Sequence, residues 1–84
     1  MEMTSIQVLV FAQSLVLKVR NPDWELTRNA VSYRSQYKEA RGLVRNANAL
    51  AVLRDLKSVC EENPTFLEVF NNATKRYPEV LARL

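Results

Sequence analysis

The sequence predicts an all-α fold of four helices, packed as two antiparallel hairpins in a bundle or a short α–α array. Three observations carry that reading. One glycine and three prolines in 84 residues leave too few turns for an all-β chain. Residues 6–19 form an apolar stretch without a turn residue, too long and too unbroken for an alternating strand. Farther on, Leu26, Ala30, Tyr33, Tyr37, Ala40, Val44 and Ala47 recur at alternating spacings of four and three. That is the seam of helices packing at shallow angles.

The length fits one domain, residues 1–84, near the lower limit at which a single core suffices. A hydrophobic content of 48% with 25% charged residues excludes a disordered chain.

The first helix is expected at about residues 5–20, with Thr4 or Ser5 as its cap. Many of its residues are β-branched, which makes a strand the competing reading. The unbroken runs 8–11 and 15–17 favour the helix. Gln7, Ser14 and Lys18 fall on one narrow stripe at 100° per residue, while Gln13 and Arg20 lie away from it. Almost everything else on the wheel is apolar, and such a helix has to be surrounded. The sequence offers three short amphipathic neighbours for the purpose. A second copy is therefore expected to share the face bearing Val8, Phe11, Leu15 and Val19. A bilayer is not expected, because the run falls short of the roughly 18–20 apolar residues that span one. Nor is a signal peptide, since Glu2 stands where a basic segment belongs.

Asn21-Pro22 stops the first helix and should start a second, at about residues 22–41, with Asn21 as cap and Pro22 at the first position. Gly42-Leu43 resembles a helix C-terminus, so a break is expected within residues 42–48, with Asn46 or Asn48 capping the next helix. The alternative is a single rod over residues 22–62. The third helix, about residues 47–62, carries Leu50, Leu53, Leu56 and Cys60. Asn63-Pro64 then repeats the earlier device. The fourth helix, about residues 64–77, carries Phe66, Phe70, Ala73 and Tyr77 before Pro78 and a C-terminal turn. The two Asn-Pro pairs lie half a chain apart and hint at tandem hairpins. Residues 49–84 have the cadence of an α-solenoid repeat, although little else aligns between the halves.

Enzyme chemistry is not expected. The absence of histidine and the single cysteine remove the usual zinc ligands and imidazole bases. One glycine excludes phosphate-cradling loops and nucleophile elbows. Glu61 and Glu62 are adjacent, about 100° apart on a helix, and ill placed for shared acid–base work. Cys60 lies on an apolar face and reads as a buried structural thiol. No cofactor or metal is implied. A lone cysteine permits no internal disulfide, which fits an intracellular, cytoplasmic chain.

The formal charge is +3, and seven of the twelve basic residues fall within residues 28–57, against only Glu39 and Asp55. Arg34, Lys38, Arg41 and Arg45 then form a ridge beside the tyrosine seam. Trp24 lies off the seam, where it either closes the first hairpin or anchors a partner. The expected function is a non-enzymatic protein–protein interaction module, an adaptor, inhibitor or regulatory subunit with an acidic protein partner. Self-association through the first helix would make it a homo-oligomer. The alternative is nucleic-acid binding, with the ridge tracking phosphates and a tyrosine stacking on a base.

Overall fold

The computed structural model describes residues 3–31, 33–46 and 48–84, and the all-α expectation holds. The helices are α1 (Ser5–Arg20), α2 (Tyr37–Asn46), α3 (Ala49–Glu61), α4 (Pro64–Thr74) and a single turn α5 (Pro78–Leu81). No strand occurs among the described residues.

Helix α1 starts on a reciprocal cap. The Gln7 amide donates to Thr4 Oγ1 at 3.2 Å, and the Thr4 amide donates to Gln7 Oε1 at 2.9 Å, so two otherwise unsatisfied donors are paired. Its other end is closed by the Asn21 amide donating to the Leu17 carbonyl at 2.9 Å. Between these caps Val8, Val10, Phe11, Ala12, Leu15, Val16 and Val19 are all buried. Contacts from α2, α3, α4 and α5 surround the helix, most extensively from α4 and α3. Each large apolar side chain removed from water stabilises the fold by roughly 1.5–3 kcal/mol. Surface ion pairs such as Arg20–Glu79, with nitrogen and oxygen 3.6 Å apart, add at most about 1 kcal/mol. The core is therefore organised on α1.

This changes the reading of its faces. Val8 and Leu15 are fully buried, and Phe11 and Val19 are no more than 9% exposed. The four residues expected to meet a second copy are buried in the chain's own core. The polar stripe is covered too: Ser14 is buried, and the Lys18 ammonium donates to the Trp24 carbonyl at 3.1 Å. Solvent instead meets the line through Ile6 and Arg20.

The second helix is the main correction. It runs Tyr37–Asn46 rather than from Pro22, and residues 21–31 and 33–36 are not α-helical, with 3-10 turns at Arg28–Ala30 and Arg34–Gln36. Leu26 and Val31 are buried from this segment, whereas Ala30 and Tyr33 are exposed. The seam is thus helical only from Tyr37 onward, and its last member, Ala47, lies outside the described residues. Residues 27–35 explain the failure: Thr27, Asn29, Val31, Ser32, Tyr33 and Ser35 are all weak helix formers, from β-branching, ring bulk or competing side-chain hydrogen bonds. The expected first hairpin is accordingly a helix and a wrapped loop. Gly42 ends nothing. It sits exposed inside α2 without a positive φ.

Helix α3 starts where expected, with Asn48 Oδ1 accepting from the Ala51 amide at 3.3 Å. It buries Leu53, Leu56 and Cys60. Asn63 Oδ1 accepts from both the Thr65 and Phe66 amides, and α4 follows with Pro64 in its first turn. Phe70, Ala73 and Thr74 are its buried residues, and the Thr74 hydroxyl donates to the Phe70 carbonyl at 2.9 Å. Arg20 then fastens the C-terminal turn: its guanidinium lies 5.4 Å from the Tyr77 ring centre, while Val80 is buried beneath.

Candidate functional site

The short α2 has two chemically different flanks. Tyr37, Arg41 and Arg45 are spaced four apart and therefore project from one side. The wrapped loop passes opposite them, carrying Trp24, Leu26 and Arg28, and α1 contributes Lys18. Together they enclose a cleft of about 500 Å³ with Val44 at its base. Glu25 is the only carboxylate on the wall.

The four cations are not equivalent. Lys18 is committed to the Trp24 carbonyl and so ties the loop to α1. Arg28 stacks its guanidinium 5.7 Å from the Tyr37 ring centre, which holds the loop against α2. Arg41 and Arg45 are exposed, and neither has an ion-pair or hydrogen-bond partner among the described residues. These two guanidiniums are thus free to receive carboxylates or phosphates in a planar, two-point fashion. Beside them, half-buried Trp24 and Tyr37 provide apolar surface with a polar tip.

No protein family, curated protein or solved structure matches the chain.

Of the expected binding residues, the fold brings Trp24, Arg41 and Arg45 together and leaves two aside. Lys38 is exposed outside the cleft lining. Arg34 stands on a 3-10 turn, its Nη2 3.5 Å from Asn29 Oδ1, because the helix that would have aligned it begins only at Tyr37. Of the expected ridge, Lys38, Arg41 and Arg45 are helical, and Arg34 stands on the 3-10 turn before them. Lys18, Arg28 and Tyr37 are the lining residues that spacing missed. No periodicity could place Arg28, since a loop, not a helix, carries it to α2.

Cys60 is fully buried, and burial pushes its thiol above the ordinary value, so little thiolate forms near neutral pH. Among the described residues, no three of the metal-ligating side chains cluster, and no helix is long and apolar enough to cross a membrane.

Proposed function

We propose that this chain is a non-enzymatic interaction module that receives an acidic segment of a protein partner in the cleft between α2 and the wrapped loop. The observation that carries the reading is the pair of guanidiniums, Arg41 and Arg45, unpartnered among the described residues and set beside Trp24, Tyr37 and Val44. Such a site suits a peptide with carboxylates next to an apolar or aromatic residue: the ring fills the base, and the acids meet the arginines. Desolvation at the apolar base strengthens those pairs beyond what an open surface gives. A nucleic acid would need cations along a track, and here Lys18, Arg28, Arg41 and Arg45 line a cleft, with Arg34 turned to Asn29.

Trp24 is the only tryptophan, so its fluorescence reports occupancy directly. Titration with a short peptide of glutamate and phenylalanine should shift the emission, and the shift should weaken as salt rises. The double substitution Arg41→Glu with Arg45→Glu should remove it, because both residues are exposed and the fold survives. Equal binding of a lysine–phenylalanine peptide would overturn the proposal. An oligonucleotide that binds more tightly than the acidic peptide, and is lost in the same variant, would replace the partner with nucleic acid.

A further inference from the structure

The other flank of α2 looks onto a second depression of the opposite character. Phe11 and Leu15 of α1, Leu43 of α2, and Val52, Leu56 and Val59 of α3 line an apolar groove of about 230 Å³. Val59 is 49% exposed at its edge. The groove is smaller than the roughly 300–1000 Å³ usual for small-molecule sites, and suits the side-chain knobs of a docked helix. Its only charged lining residue is Asp55.

Asp55 lines the groove, and Glu39 and Glu62 stand near its ends along α2 and α3, in a chain whose net charge is +3. Glu39 stands one turn before Leu43 on α2. Its Oε2 accepts from Gln7 Nε2 at 3.2 Å, and Gln7 is one turn before Phe11 on α1. Glu39 is thereby placed at the end of the groove where those two residues enter. Glu62 follows Val59 by three residues at the end of α3 and extends the same edge. None of the cations on these helices lines the groove. Arg41 and Arg45 line the basic cleft, Arg54 donates to the Arg83 carbonyl at 2.7 Å, and Lys18 is held by Trp24.

We infer that this groove docks a basic amphipathic helix of a protein partner, its apolar stripe between Leu43 and Val59 and its flanking lysines or arginines against Glu39, Asp55 and Glu62. A symmetric pairing with a second copy is disfavoured, since it would bring the same carboxylates face to face. The inference does not depend on the basic cleft.

The probe is a short helical peptide of leucine and lysine, fluorescein-labelled, titrated into the full chain and followed by anisotropy. It should bind in a salt-sensitive manner, and its glutamate counterpart should not. Asp55→Lys with Glu39→Lys should weaken it at least about tenfold. Val59→Glu, at an exposed position, should also weaken it. Arg41→Gln with Arg45→Gln should not weaken it, which separates this groove from the cleft. Indifference to Asp55→Lys with Glu39→Lys, or equal binding of the glutamate peptide, would overturn the inference. So would a concentration-dependent dimer that Val59→Glu abolishes, because the occupant would then be a second copy.

Discussion

The chain contains the same two-residue signal twice, with opposite results. At Asn63-Pro64 the asparagine is extended, its side chain accepts from two following amides, and an eleven-residue helix begins. At Asn21-Pro22 the asparagine is also extended, yet its side chain accepts only from the Asp23 amide at 3.2 Å. The Trp24 amide then donates to the Asn21 carbonyl at 2.9 Å, so the chain makes one turn and runs on without a helix. The caps are locally alike, but the segments beyond them differ. After Pro64 come Phe66, Leu67, Phe70 and Ala73, a stripe that α1 and α3 can bury. Between Pro22 and α2, Leu26 and Val31 are the buried apolar residues among those described, five residues apart, which a helix would set about 140° apart. Capping allows a helix to start, and a buried stripe decides whether it continues.

That contrast can be tested at several sizes of effect. Phe70 is fully buried, and Phe70→Ala should cost about 3–5 kcal/mol in urea unfolding. Leu26→Ala should cost about 2 kcal/mol, the lower end for such truncations, because a loop collapses more readily onto the gap. Equal losses would mean the wrapped segment is as tightly built into the core as α4.

Next in size is the order of opening. The chain has one tryptophan, on the wrapped segment, and one cysteine, on α3. In rising urea Trp24 emission should red-shift before Cys60 becomes open to alkylation, as expected if the segment lets go first. Coincident transitions would argue for a single cooperative unit.

The caps themselves should differ by a smaller margin. Asn63→Ala should lose about 1 kcal/mol, and Asn21→Ala only a few tenths, since the second serves a turn and no helix N-terminus. Gly42→Ala should do the reverse of damage. A methyl group there meets nothing within 4 Å, and the gain should be up to about 1 kcal/mol with higher helicity by circular dichroism.

Legibility followed the same divide. The start of α1 at Thr4, the start of α3 at Asn48 and the start of α4 at Asn63 were all readable, because each combines a capping side chain with a strong apolar stripe. The start of α2 was not. The spacing of Leu26, Ala30 and Tyr33 copies a heptad seam, but Ala30 and Tyr33 remain exposed, and position alone does not reveal burial. The cleft was half legible for that reason: Arg41 and Arg45 lie on true helix, whereas Arg28 arrives by tertiary folding. The apolar excess of α1 pointed correctly to a surrounded helix. Its cover within the chain comes chiefly from α4 and α3, which spacing along α1 alone does not identify.

The central place of α1 has a further consequence, one of timing. Its most extensive contacts are with α4 and α3, both made after it by roughly half the chain. During synthesis this apolar segment emerges before α3 and α4 and waits for their cover, a situation in which nascent chains aggregate or engage chaperones. The long separation between contacting segments also slows folding relative to helical proteins built from neighbouring pairs. A fragment ending before α4 should therefore accumulate as insoluble protein, even though the intact chain buries most of the same helix.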